Sequence, residues 1–210
     1  MWSGKEIYAA AERNKDPILS VLRNYIKKGV AQVFLEIASG SGQHVAHFAP
    51  NFPNVTFYPS ENGDPKLIRS IEAHTAEMSN VKTPTNIDIA TNYKTWNNGF
   101  FKESTIDYMY TSNLTHVSPF ECTISLFKNA GKLLNSDGLL FMYGPFAVDG
   151  NLSPESNINF DKSLRAQNSE LGIRDTRDLQ ELADKNGLQL LEMKDMPANN
   201  KTLIWKKSSQ

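Results

Sequence analysis

The chain has 210 residues, 40% of them hydrophobic and 10% aromatic, which supplies a packed core and excludes wholesale disorder. Twenty-two basic against 23 acidic residues leave a formal charge of −1, which argues against binding long nucleic acids as the main task. The single cysteine, Cys122, excludes an internal disulfide framework and a Cys-rich zinc site.

In chain order, a helical stretch over residues 6–13 comes first. Asp16-Pro17 then reads as a second helix start, with Asp as N-cap and Pro at the first helical position. That helix is expected to reach residue 28, stopped by Gly29. Gln32-Val33-Phe34-Leu35-Glu36-Ile37 is a short apolar run, as in buried parallel strands. A helix over 43–49, a strand over 55–58, a helix over 65–79 and a strand over 85–88 follow. Further on come a strand over 106–110, a helix over 120–134 and a strand over 138–143. Strands alternating with helices imply a mostly parallel sheet. Residues 150–159 are rich in Asn and Ser and read as a loop, before a helix over 160–170. Asp175 caps a helix that Gly187 ends. Strands over 188–195 and 202–206 flank Pro197-Ala198-Asn199-Asn200, so the sheet should end antiparallel. Residues 1–6 lack the apolar region of a signal peptide, and the apolar run over 138–148 is too short to span a bilayer. The expectation is one cytoplasmic domain over 1–210, with no membrane partner and an N-terminal helical lid over about 1–29.

The chemistry concentrates after the first strand, in Glu36-Ile37-Ala38-Ser39-Gly40-Ser41-Gly42-Gln43-His44. A loop of small residues lets a ligand approach the backbone, and the following helix N-terminus presents free N–H groups. A dinucleotide fingerprint needs glycine where Val45 stands, and a P-loop needs a Gly-Lys pair that is absent. Glu36 would repel a pyrophosphate but suits an ammonium group. S-adenosylmethionine carries that amine and no phosphate; a tight turn without a ligand is the competing reading. Glu61, 19 residues beyond Gly42, can accept both hydroxyls of a ribose. Asp88, at the third strand's end, can accept adenine amino hydrogens, with the Ile89 N–H facing a ring nitrogen. Asn113 and His116 follow the fourth strand, where a methyl acceptor would sit. His116 is the candidate general base, with loop hydrogen bonding as its alternative. Arg13, Arg165 and Arg174 are candidate anchors for an anionic acceptor, or ordinary ion pairs. His44 and His47 share a helix face, but nothing completes a metal motif, so no metal is expected; His44 reads as a neighbour of the cofactor's carboxylate.

The turn resembles motif I of class I S-adenosylmethionine-dependent methyltransferases, with Ala38 in place of the first glycine, a change tolerable at negative φ. The chain further resembles the methyltransferase-like protein 26 family. The matching segments include Glu12-Arg13-Asn14, Ala38 to His44, Pro59-Ser60, Asn113 to His116, Tyr143 to Phe146, Phe160-Asp161, Gly172 to Asp175 and Met196 to Asn200. Departures are Glu61 for Asp and Phe120 for Trp. The resemblance implies a Rossmann-like α/β fold with seven strands in the order 3-2-1-4-5-7-6, the seventh antiparallel. It implies S-adenosylmethionine as cofactor and S-adenosylhomocysteine as product. Ser39, Gly40, Ser41, Gly42 and Asn62 complete the cofactor set with Glu36, Ala38, His44, Glu61, Asp88, Ile89 and Asn113. Asn14 and Tyr143 join Arg13, His116, Arg165 and Arg174 on the acceptor side. The expected activity is methyl transfer to a small, polar, anionic acceptor. The alternative is a degenerate fold serving as a non-catalytic interaction module. The oligomeric state stays open.

Overall fold

A computed structural model describes residues 4–208. Among the described residues nine strands form, β1 (Gln32–Ile37), β2 (Val55–Glu61), β3 (Thr85–Asn86), β4 (Ile106–Ser112), β5 (Leu134–Gly144), β6 (Phe146–Ala147), β7 (Arg174–Asp175), β8 (Leu188–Met196) and β9 (Asn200–Lys207). Seven of them build one sheet in the order β3-β2-β1-β4-β5-β9-β8, while β6 and β7 pair separately. Counting only the sheet's own strands, this is the expected 3-2-1-4-5-7-6. Strands β1 to β5 run parallel, and β9 is antiparallel to both β5 and β8.

Because side chains alternate along a strand, one sheet buries two separate cores. Phe34, Phe57, Tyr110, Phe141 and Ile204 face α1 (Ala9–Leu22), α2 (Gln43–Phe48) and α3 (Pro65–Thr75). Leu35, Met109, Leu140, Leu203 and Trp205 face α4 (Phe120–Leu133) and α6 (Thr176–Lys185). The chain leaves β1 toward β2 and returns to β4 on the other side. The carboxyl ends of β1 and β4 therefore flank a crevice, the usual ligand position in such sheets.

Four expectations fail. The two N-terminal helices are one: α1 runs through Pro17, and Asp16 is no N-cap. Ala11 and Asn14 before the proline and Ile18, Leu19, Val21 and Leu22 after it share one buried face, so packing outweighs the lost backbone bond. Asp16 instead pairs with His47 at 2.8 Å. The helix also stops at Leu22, well short of residue 28. Half of the expected loop over 150–159 is helical, because α5 begins at Glu155 and ends at Gln167. Its polarity misled because that end of α5 places Ser156 and Asn157 against a cleft. The third strand ends at Asn86, so Asp88 lies two residues beyond it.

Candidate active site

The turn after β1 is built by backbone demands. Gly42 has φ 87°, and a Cβ there would lie 2.7 Å from the Cα of Ile71. Only glycine meets both constraints. Gly40 also sits in the left-handed region. Ala38 does too, at φ 55°, against the expectation of a negative φ. A left-handed alanine costs about 1–2 kcal/mol, which the surrounding bonds must offset. The Ser39 N–H donates to the Ser60 carbonyl at 2.7 Å, and the Ser60 hydroxyl donates to the Glu36 carbonyl at 2.6 Å. The Ser70 hydroxyl donates to the Ser41 carbonyl at 2.7 Å. The turn is thus bolted to β2 and α3.

Glu36 ends up beneath this turn, 2% exposed, and neither carboxylate oxygen has a hydrogen-bond partner within the protein. Burial pushes its carboxyl up to about 8; the nearby Ser39 hydroxyl opposes this, and the Glu61 carboxylate adds to it. A buried carboxylate without a partner is costly, and a cation arriving at the turn would offset that cost.

Glu61 reaches back to the turn. Its Oε2 accepts from the Gly40 N–H at 2.7 Å, and its Oε1 accepts from the Asn62 N–H at 2.9 Å. A carboxylate has about four lone-pair directions, so both oxygens retain room for a diol. Asn62 and Asp88 are exposed, and Asp88 Oδ1 accepts from the Ala90 N–H at 3.0 Å. Ile89 packs its side chain into the core. These four residues lie at or past the ends of β2 and β3 and line neither cavity of the site.

Over the turn lies α1. Gln43 locks it there: its Oε1 accepts from the Tyr8 N–H, and its Nε2 donates to Glu12, both at 2.6 Å. Deeper, His44 Nε2 contacts Asn14 Oδ1 at 2.6 Å, and His44 Nδ1 meets the Tyr110 hydroxyl at 3.4 Å. The amide oxygen can only accept, so Nε2 carries the proton. Burial, aided by His47, lowers His44 to about 4, so the ring is neutral near pH 7. A neutral His44 is a dipolar neighbour for a carboxylate, not a counter-ion. A cavity of about 210 Å³ lies between α1 and the turn. Its walls include Tyr8, Ala38, Gly40, His44, Ser112 and Asn113.

A second cavity of about 690 Å³ adjoins the first, and Ala10, Asn14 and Asn113 line both. Arg13, His116, Tyr143 and Phe160 also line the larger one. The structure thus brings together the expected Arg13, Asn14, Asn113, His116 and Tyr143. Asn113 sits at φ 55°, with its N–H held by the Tyr143 carbonyl at 2.8 Å. His116 is buried, packs edge-on against Phe160, and has no partner for Nδ1. Burial and the Arg174 charge lower it to about 4. It is neutral near pH 7 and a weak base.

Two expected anchors are elsewhere. Arg174 is buried and donates to the carbonyls of Thr115, Ser118 and Glu170 at 2.8–2.9 Å, with its guanidinium over the Phe120 ring. It holds the loop that carries His116, and the Gly172 N–H adds a bond to the His116 carbonyl at 3.0 Å. Arg165 pairs with Asp161 at 2.8 Å, and Asp161 also accepts from the Ile173 N–H. Both arginines are committed to the fold and line neither cavity.

Sequence reasoning did not assign Tyr8, Ser112, Asn157 or Asn200 to the site. The Asn157 amide donates to the Ser153 and Asn199 carbonyls at 3.1 Å, tying α5 to the turn before β9. That turn closes the larger cavity with Pro197, Ala198 and Asn200. The signal available was the 196–200 segment, which the sequence offers as a connection and as part of the family resemblance but not as site residues.

Residues 5–207 match the family described as "Protein of unknown function (DUF938)". The chain belongs to the DUF938 family. This DUF938 chain is also similar to solved methyltransferase structures. One is human N-acetylserotonin methyltransferase in complex with S-adenosylmethionine (TM-score 0.74, 12% identity, covering 96% of this chain and 54% of that one). A second is an O-methyltransferase family protein from Burkholderia thailandensis (0.74, 15%, 96% and 59%). A third is a putative sarcosine dimethylglycine methyltransferase from Galdieria sulphuraria (0.70, 14%, 98% and 92%). The chain spans little more than half the length of the first two. At these identities the likeness establishes the Rossmann-like methyltransferase fold of the DUF938 chain. The family matched is DUF938; the narrower kinship with methyltransferase-like protein 26 is not part of that match. Among the described residues, no helix is long and apolar enough to cross a membrane.

Proposed function

We propose that this DUF938 protein is an S-adenosylmethionine-dependent methyltransferase acting on a small, polar acceptor, with the N-terminal segment closing over the site as a lid. The observation that carries the reading is Glu36: a buried, unpartnered carboxylate under a left-handed turn whose residues 38–41 line a cavity adjoining a larger cleft. Glu36 would meet the cofactor's ammonium, Glu61 the ribose, Asp88 and the Ile89 N–H the adenine. Tyr8 and Asn14, on the N-terminal segment, would cover the donor.

The cofactor supplies an electrophilic methyl carbon on a sulfonium. Transfer is an in-line displacement, so the protein's task is mainly to position and desolvate the partners. Asn14 and Asn113, shared by both cavities, stand where donor and acceptor would meet. Arg174 fixes the loop that presents His116 to the acceptor. Calorimetric titration with S-adenosylmethionine tests the reading: one-to-one binding is expected, and no binding at millimolar cofactor contradicts it. A non-catalytic interaction module would instead keep its function in a Gly40→Arg variant.

A further inference from the structure

The larger cleft has an unbalanced charge. Among the described residues lining it, Arg13 is the one permanent cation and none is acidic. Arg13 lies on the exposed side of α1, and it makes no hydrogen bond or ion pair within the described residues. An ammonium acceptor would find no counter-ion here and would face a guanidinium. The first turn of α5 lines the same cleft through Ser156 and Asn157, and its acidic Glu155 does not line it.

The cleft also lacks a strong base. His116 lines it, but its unpartnered Nδ1 is buried, and burial and the Arg174 charge both oppose protonation. An alcohol or an ammonium nucleophile would have to lose a proton that nothing lining the cleft readily takes. An acceptor that arrives already ionised needs none.

We propose that the acceptor is a small carboxylic acid, methylated on its carboxylate, with the Arg13 guanidinium holding that carboxylate in the cleft. The inference rests on the methyl-transfer reading and adds the acceptor class. One carboxylate oxygen forms the O–CH₃ bond while the S–CH₃ bond breaks, its electron pair staying on sulfur. The products are a methyl ester and a neutral thioether, and no proton moves. The ester carries no charge for Arg13 to hold, which favours its release.

The test uses the intact protein, S-adenosylmethionine with a labelled methyl group, and a protein-free small-molecule extract of cells. The expected label is alkali-labile and escapes as methanol. Arg13→Gln should cut it about 30-fold, the worth of one charge-assisted pair, and Arg13→Lys should restore part of it. S-adenosylhomocysteine affinity, measured by calorimetry, should stay within about twofold in both variants, because Arg13 does not line the smaller cavity. Alkali-stable label, or no label despite intact cofactor binding, overturns the carboxylate assignment and leaves cofactor binding standing. Alkali-labile label indifferent to Arg13→Gln overturns the anchoring role. Failure to bind either cofactor form overturns the methyl-transfer reading itself.

Discussion

Glu36→Gln separates the burden of the site from its use. The carboxyl is held at about 8 against an ordinary value of 4.5, with burial as the main cause. Between those two values the folded protein binds more protons than the unfolded chain, so this group's stability contribution falls as pH rises. At pH 7.5 the cost is about 4 kcal/mol, at ~1.4 kcal/mol per pH unit. Gln keeps the shape and removes the ionisation. It leaves a buried amide without partners, at about 1–3 kcal/mol. The variant should therefore be about 1–3 kcal/mol more stable than the parent at pH 7.5, or several degrees in Tm for a chain of this size. At pH 5 only about 0.7 kcal/mol of that cost remains, so the variant should be no more stable than the parent, or less. S-adenosylmethionine affinity should fall at least about tenfold at pH 7.5, because the ammonium loses its partner. Urea or thermal melts of both proteins from pH 5 to 8 read the sign change. A stability difference that does not vary with pH would refute the reasoning.

Four further outcomes follow from the same geometry. Gly42→Ala should lower stability by about 2–4 kcal/mol through the Ile71 clash and a positive φ, whereas Gly29→Ala, with open space, should cost about 1 kcal/mol; melts of the pair check this. Ala38→Gly should stabilise by up to about 1 kcal/mol by relieving the left-handed alanine, with cofactor affinity unchanged by calorimetry. Arg174→Met should cost about 3 kcal/mol by orphaning three carbonyls, and the His116 ring resonances in NMR should shift with the loop. His44 and His116, both held near 4 against 6.5, contribute stability that is present above pH 6.5 and lost as pH falls toward 4. With the opposite slope from Glu36, these groups place maximal stability near pH 6.5 in a pH series of melts.

The sheet was legible in the sequence because its strands are apolar runs separated by helices, and the parallel order follows from that alternation with the resemblance. Gly40 and Gly42 announced the turn because small residues there serve backbone geometry. The placement of Glu36 and Glu61 near strand ends was legible because it depends on local sequence. What stayed hidden was tertiary. Pro17 signals a helix start locally, yet packing on both sides carries α1 through it. Arg174 looked like a substrate anchor, but a guanidinium can spend its donors on carbonyls that come together only once β7 folds beside the β4–α4 loop. The polarity of residues 150–159 read as a loop, whereas α5 begins at Glu155 and buries Asn157 against the turn before β9. Ala38 looked neutral because φ is set by the bolted turn and not by the residue.

A crystal structure of the complex with S-adenosylhomocysteine tests the central claim most directly. The account predicts the amino group beneath the turn beside Glu36, the ribose on Glu61, and the sulfur at the junction bounded by Asn14 and Asn113, open to the larger cleft. A thioether lodged elsewhere, or a sulfur turned away from that cleft, would contradict it.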